Sequence, residues 1–573
     1  MKKLFLMILF ITLSFTLNGC KNSFLITYFD GISDDNTYNT ELFYRNDLFV
    51  TQAADPSVIY VSEEQNSEYG GYFYMYVTGL GFPVMRSKNL VDWEKQGFSL
   101  QLPEETWCNS HFWAPEVIYN ENDGKFYLYY TSSSKVGTRE TAYSDSTYDF
   151  DRLYTGIAVS DNPVGPFIPW TGTNLNGEVI TNLTPPINFK TGMDLDYEFP
   201  VIDASPFFDD NGDFYLYFTA HISSTNLSNN IWGMKMKDMV TPDYNTVTQL
   251  TEAGKYTVGG EMILREEGSN IDEGPFMIKH DGRYYLTYSA FGFSNRLYSV
   301  NFATATNPLG PFTKAPTEEA NPVLGIDSYY DHMGGTGHHC FVKAGEDLYA
   351  VYHAHRNRAT GAGNPRGIAI DKVNFRYNET LGYDVLHANG PTYSLQPLPS
   401  FVSGYKNLAR EALISATNVQ DEKIIKYLND DLIAFHDFDL DKEFIFKGKT
   451  TITLEFTQPT KVTAVMVYNS LNYDYAFESI DSIVFSVLEK PANYIGNFYN
   501  KGVIKNIPFN PDYVRTDELY MRAGGAAIVE FAPLLVDRIT ITISKKYTNV
   551  DYYGEKLDDI AISEIVVLGK ESE

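Results

Sequence analysis

Short runs of alternating apolar and polar residues dominate the chain, and they come in pairs. Five segments share one layout, a short apolar strand carrying a polar residue, then a turn, then an aromatic-rich strand. The first strands read ADPSVIYV from Ala54, WAPEVIYN from Trp113, IDASPFFDD from Ile202, DEGPFMIKHD from Asp272 and GTGHHCFVKA from Gly335. The second strands read YFYMYVTG, KFYLYYTS, DFYLYFTA, RYYLTYSA and DLYAVYHA. Period-two alternation bounded by turn residues predicts β-strands. Asp123-Gly124, Asn211-Gly212 and Asp281-Gly282 are hairpin signals, because such pairs accept the positive φ of a tight turn. A third strand follows in segments such as GIAVSDNPVGPF and LYSVNFATATNPLGPF.

The polar positions Asp55, Glu116, Asp203, Glu273 and His338 are spaced by 61, 87, 70 and 65 residues. Repeats of this length, with three or four strands each, predict a five-bladed β-propeller. The innermost strands of a propeller line a central channel, so all five polar residues are expected to point toward one axis. The pattern ends near Phe375, and a connector with Pro391, Pro397 and Pro399 leads into a different unit. Its strands, TITLEFTQ, KVTAVMVYNS, SIVFSVLE, DRITITIS and ISEIVVLG, come with no long helix between them and predict an antiparallel β-sandwich. The fold class is therefore all-β, a propeller over residues 45–400 and a sandwich over 405–573.

Composition sharpens this picture in three places. A chain of 573 residues exceeds one ordinary core, which agrees with two units. A net charge of −29 without a basic stripe repels polyanions and excludes nucleic acid as a partner. Residues 1–20 read as a targeting signal, with Lys2 and Lys3 before an apolar run from Leu4 to Leu17 that is too short to span a bilayer. Leu17-Asn18-Gly19-Cys20 resembles a bacterial lipobox, which implies membrane attachment through a lipidated Cys20 at the cell envelope, with a plain secretory peptide as the alternative. Only Cys108 and Cys340 then remain, enough for one bridge and too few for a disulfide framework.

Carboxylates on opposed blades can face each other across a sugar. Hydrolysis of a glycoside with inversion needs one carboxylate to activate water and one carboxylic acid to protonate the departing oxygen. A third carboxylate beside the acid raises its pKa by like-charge repulsion. The ordered set ADPSV, WAPEV, DASPF, EGPF and GTGHH closely resembles the glycoside hydrolases of family 43, over residues from about 50 to 400. That resemblance implies a five-bladed propeller that inverts configuration, with Asp55 as general base, Asp203 as pKa-modulating carboxylate and Glu273 as general acid. It also implies that Arg366 contacts the sugar beside the base. His338 matches a histidine that lies near a central calcium in many members. No cofactor is required for the chemistry, and a structural calcium near His338 is the one metal expectation.

Each residue also has a plainer reading. Asp55 before Pro56 and Glu273 before Gly274-Pro275 are turn-compatible, and Glu116, a candidate substrate-binding residue, can instead serve a backbone or hydroxyl partner alone. Trp113 offers either a stacking wall for the substrate or a blade-packing ring, and Phe82 and Phe291 are further wall candidates. His339, His353 and His355 read as structural. Exo-acting α-L-arabinofuranosidase action on plant polysaccharide leads. Its rivals are β-xylosidase, β-galactofuranosidase and a non-catalytic surface glycan-binding lipoprotein. Asn407-Leu408-Ala409, the Asn429-Asp430-Asp431 turn and Ile562-Ser563-Glu564-Ile565 resemble a discoidin-type, galactose-binding-like module, implying a carbohydrate-binding or buttressing role.

Overall fold

The computed structural model describes residues 26–28, 38–46, 53–134, 153–195, 200–220, 228–266, 269–325, 333–355, 366–392, 394–489, 492–509, 513–515, 518–520, 525–547 and 558–570. The leader and Cys20 lie outside the described residues. Five four-stranded antiparallel sheets follow one another in chain order, as the repeats predict. Their innermost strands are Ser57–Val61, Cys108–Asn120, Val201–Phe208, Asp272–His280 and Gly334–Ala344. Each pairs with the aromatic-rich strand that follows it, and two further strands complete the blade. The fifth blade runs past Phe375 to a fourth strand at Tyr383–Ala388, which a mixed polar sequence concealed. Of the three hairpin signals, Asp281-Gly282 alone forms a two-residue turn with φ positive at both positions. At the other two, four- and five-residue loops place only the glycine in the left-handed region.

Why the chain holds so many tyrosines follows from the junctions between blades. A separate hydrophobic cluster fills each junction, one and two through to five and one. Tyr76, Tyr129 and Tyr217 hold the same register in the second strands of blades one, two and three. Their rings are buried there, and each hydroxyl crosses to a backbone carbonyl of the next blade, on Pro163, Met239 and Pro308. A tyrosine supplies apolar area and satisfies its one polar atom across the seam. The seam from blade five to blade one has no covalent continuity. There Asn46 donates from Nδ2 to Ile370 O at 2.8 Å and accepts from Ile370 N at 3.0 Å.

A nine-stranded antiparallel assembly makes up the C-terminal unit, joined by the short strand Ile26–Tyr28. TITLEFTQ and KVTAVMVYNS are one continuous strand, Thr450–Asn469, and DRITITIS is the second half of another, Ala526–Lys546. Each carries a proline, Pro459 and Pro533, where the register between them shifts. A proline cannot donate to a ladder and is tolerated at such a bulge. The two halves of Thr450–Asn469 take different second partners, Leu413–Ala416 and Asp559–Lys570, and both contribute to one core that includes Leu454, Val465, Ile483, Ile541 and Val567. Cys108 and Cys340 are buried free thiols, so the chain forms no bridge between them.

Blade five and the sandwich meet through charge. Lys372 reaches Asp431 at 2.6 Å and Asp347 at 2.9 Å, and Arg376 reaches the buried Asp439 at 2.8 Å. Breaking one partner of a largely buried pair leaves the other charge uncompensated. Lys372→Ala is therefore expected to lower stability by about 3 kcal/mol. Calorimetry should show the loss as an earlier unfolding transition that includes the C-terminal unit. An unchanged melting profile would exclude this contact as a stabilising one.

Candidate active site

A β-bulge recurs at one matching place near the start of each innermost strand, and in blade one it shows as the Thr78 N–H to Ala54 O bond out of step with the Ser57–Tyr76 pair. In blades two to five the pairing register skips one residue between Trp113 and Glu116, Ile202 and Ser205, Glu273 and Phe276, and Gly337 and Cys340. The first bulged residue has positive φ in all five blades, namely Asp55 at 54°, Ala114 at 45°, Asp203 at 58°, Gly274 at 57° and His338 at 45°. Four of the five are not glycine, so a left-handed backbone that costs about 1–2 kcal/mol is maintained against steric preference.

This register corrects the expectation that Asp55, Glu116, Asp203, Glu273 and His338 are five equivalent positions. Asp55, Asp203 and His338 share the bulge position. Glu273 stands one residue before it, in the register of Trp113, Ile202, Gly337 and Ala54. Glu116 stands two residues after Ala114, in the register of Ser57, Ser205, Phe276 and Cys340. The sequence gap hid this because each motif was aligned on its polar residue, whereas the backbone aligns them on the bulge.

Asp55, Asp203 and Glu273 are brought together at the channel, each in a different environment. The Asp55 carboxylate accepts from Thr78 Oγ1 at 2.5 Å and from Arg366 at 3.2 Å, and His338 Nδ1 lies 3.5 Å from it. Burial pushes its pKa up, but His338, Arg366 and the neighbouring His353, whose Nδ1 lies 3.3 Å from Oδ1, outweigh burial and hold it well below the usual range. Asp203 accepts from Gly274 N at 3.1 Å and Thr219 Oγ1 at 3.3 Å. Its carboxyl is raised, by burial first and by Asp55, against the opposing pull of His338. Glu273 is pushed up to about 8 by burial and then by Asp203, against a hydrogen bond from Tyr298. The site thus holds one strongly ionised carboxylate and one carboxylic acid at neutral pH.

Two residues that the sequence reading passed over complete this arrangement. The buried Tyr298 donates to Glu273 Oε1 at 2.8 Å. It fits because residue 337 is glycine, since a Cβ there would come within 2.3 Å of the Tyr298 ring. Phe293, 51% exposed, lies under the Arg366 guanidinium at 4.7 Å. It is the exposed aromatic of this rim, whereas Phe82 is fully buried in the seam between blades one and two and Phe291 packs into the seam between blades three and four. Trp113 is half-buried with its ring edge-on to His111 at 4.8 Å, in the same register as Glu273. His339 and His355 are buried, the former bonded to Thr287 Oγ1 at 2.7 Å and the latter to Phe293 O at 2.8 Å.

Three ligating side chains close enough for a metal occur, among the described residues, at His280, Asp281 and Asp384, on the hairpin of blade four against blade five. His338 belongs to no such group there, and its Nδ1 faces the Asp55 carboxylate. A calcium ion takes six to eight oxygen ligands. Among the described residues, the side chains around His338 form no group of three ligands, so water would have to complete the shell of an ion there.

Glu116 accepts from Ser57 Oγ at 2.9 Å, and burial, with Asp203 nearby, pushes it up to about 8. In the unfolded chain it ionises near 4.5. The folded state therefore binds one extra proton between these values, and stability falls as pH rises through that window. Glu116→Gln removes the titration. The variant's melting temperature relative to wild type should rise between pH 5 and pH 8.5, and parallel curves would show that Glu116 is ionised in the fold.

Residues 44–381 match the family "Glycosyl hydrolases family 43". Similar proteins include a β-D-galactofuranosidase of Aspergillus niger, 27% identical over 307 residues, covering 51% of this chain and 71% of that protein. An extracellular endo-α-(1→5)-L-arabinanase of Thermotoga petrophila is 27% identical over 298 residues, covering 49% of this chain and 54% of that protein. A β-xylosidase of Xylanibacter ruminicola is 24% identical over 327 residues, covering 52% and 82% respectively. Among solved structures, a thermostable family-43 glycoside hydrolase is 28% identical with a TM-score of 0.46, covering 62% of this chain and 99% of that one. With that match covering more than half of the chain, the chain belongs to glycosyl hydrolase family 43 and is a glycosidase.

Proposed function

We propose that the protein is an inverting, exo-acting glycoside hydrolase that releases terminal sugars from plant polysaccharide, with α-L-arabinofuranose as the leading substrate. The observation that supports the mechanism is the contrast in partners, with Arg366 and His338 beside Asp55, and Tyr298 on Glu273. Asp55, held as a carboxylate, is the general base that takes a proton from the attacking water. Glu273, held protonated, is the general acid that delivers a proton to the glycosidic oxygen. Tyr298 donates to Oε1 of Glu273, which favours Oε2 as the oxygen that carries the transferable proton. Arg366, bonded to Asp55, and Trp113 are suited to hold the sugar, and Asp203 sets the acid's pKa.

The relatives named above act on galactofuranosides, arabinan and xylosides, so β-xylosidase and β-galactofuranosidase action are the rival readings. Loop contacts to sugar hydroxyls decide among them. The C-terminal sandwich is read as a discoidin-type module that binds glycan or buttresses the propeller. Secretion, with attachment through a lipidated Cys20, rests on the leader sequence. A central ion near His338, if the protein carries one, would be held mainly by water.

The substrate reading is tested with a panel of 4-nitrophenyl α-L-arabinofuranoside, β-D-xylopyranoside and β-D-galactofuranoside. The arabinofuranoside is expected to be hydrolysed fastest, and NMR of the first-released sugar should show the inverted anomer. Faster turnover of either other glycoside reassigns the sugar, and a retained anomer overturns the base role of Asp55.

Asp203 gives a separate prediction on the acid. Asp203→Asn removes a negative charge that helps keep Glu273 protonated, so Glu273 should ionise at lower pH. The alkaline limb of the activity profile should move toward acid while the acidic limb stays in place. A curve that only drops in height would mean that Asp203 orients groups without tuning the acid.

A further inference from the structure

The five bulges are stitched to one another by a ring of hydrogen bonds around the channel. On the second strand of each blade, opposite the residue before the bulge, stand Thr78, Thr131, Thr219, Ser289 and His353. Thr78 Oγ1 accepts from Ala114 N of blade two at 2.9 Å, and Thr131 Oγ1 accepts from Asp203 N of blade three at 3.2 Å. Thr219 acts through Asp203, whose Oδ2 accepts from Gly274 N of blade four at 3.1 Å. Ser289 Oγ accepts from His338 N of blade five at 2.8 Å. The last link, from blade five back to blade one, is made by His353, whose Nδ1 accepts from Asp55 N at 3.3 Å.

We propose that His353 is a positioning residue for Asp55, its bare Nδ1 holding the backbone N–H of the base across the seam where the propeller closes. The inference rests on the reading of Asp55 as the base. Three features of the site support it. The amide of Asp55 is buried and its backbone is left-handed, so without an acceptor the segment has reason to relax toward an ordinary conformation. A hydroxyl rotates, and Thr78 shows the consequence by donating to Asp55 Oδ2 while accepting from Ala114 N. An imidazole acceptor has a direction fixed by its ring. The His353 ring is fully buried and stacked at 5.6 Å on Tyr298, the tyrosine that holds Glu273.

One imidazole thus lies between the backbone of the base and the partner of the acid. Nδ1 lies 3.3 Å from the Asp55 amide and also 3.3 Å from Asp55 Oδ1, so acceptance from the amide requires the proton on Nε2, whereas a proton on Nδ1 would go to the carboxylate and leave the amide without this acceptor. Burial independently favours the neutral ring, pushing its pKa down to about 3. Ala53 N–H to Arg366 O at 3.0 Å adds a second stitch on the same seam, so the loss of His353 should shift the carboxylate and not unfold the blade. Displacing a reacting group by about 1 Å costs on the order of 100-fold in rate.

The test compares His353→Phe, which keeps a ring and removes the acceptor, with His353→Asn, whose Oδ1 can take the place of Nδ1. Asp55→Asn is measured in parallel on an activated aryl glycoside and on an oligosaccharide. For His353→Phe, kcat is expected to fall about 100-fold on both substrates, with KM nearly unchanged, because a misplaced base slows attack whatever the leaving group. His353→Asn should recover most of that loss. A folded His353→Phe within a few-fold of wild type, or equal losses in the two variants, overturns the proposal. An active Asp55→Asn instead overturns the base reading on which it rests. Should neither His353 variant fold, histidine-labelled 15N NMR of the native protein decides the matter. The proton on Nε2 of His353 supports the proposal, and the proton on Nδ1 overturns it.

Discussion

The interaction on which this active site depends is a backbone hydrogen bond, made five times around a channel. A bulge turns one N–H per blade out of its own sheet, and a buried N–H without an acceptor costs about 1–3 kcal/mol. The neighbouring blade supplies the acceptor from a threonine, a serine, a histidine or, through Thr219, an aspartate. The requirement is local, but its solution ties every blade to the next at the radius where the chemistry occurs. Asp55, Asp203 and His338 occupy the bulge position itself, so the bond that satisfies the backbone also aims the side chain.

Given that frame, different partners separate carboxylates that the sequence presents as alike. Burial alone would raise all of them. Asp55 escapes because Arg366 and His338 stand beside it, and Glu273 does not because its near neighbours are Asp203, Asp55 and a tyrosine hydroxyl. Arg366 acts on both, lowering Asp55 and opposing the rise of Glu273, so its effect depends on proximity. Glu116 shows what burial does without a cation: a neutral acid bonded to Ser57, in a register outside the bulge.

Much of this was legible in the sequence, and what was not has a physical reason. The five blades were readable because each hairpin repeats the same alternation, and Asp55, Asp203 and Glu273 were found because the repeats place them in sequence order. The ring-forming residues were also in plain view, since the second strands end VTG, YTS, FTA, YSA and YHA. Read as strand ends they carry no chemistry, because their meaning lies in the amide of another blade. His353 was set aside as structural for that reason. Phe293 lies on the connection after the second strand of blade four, and Tyr298, although it stands in the third-strand segment LYSVNFATATNPLGPF, meets Glu273 only through a tertiary contact. In the sandwich, Pro459 concealed that two predicted strands are one, since proline argues against a strand interior except at a bulge.

Closure of the propeller links the sandwich to the site. Blades one to four are each followed by a covalent neighbour, but the seam between five and one rests on non-covalent contacts alone. On that seam stand His353, Arg366 and the Asp55 segment, so any slack in it reaches the base directly. Arg366 opens the third strand of blade five, and the same strand carries Lys372 and Arg376 outward to Asp431 and Asp439 of the C-terminal unit. One rigid strand thus has its first residue on the proposed base and its far half clamped to the sandwich. Buried ion pairs add little net stability, yet their geometry is demanding, and here that geometry fixes the strand's position. The sandwich and the proposed base thus meet on one strand, held at its far half and its first residue.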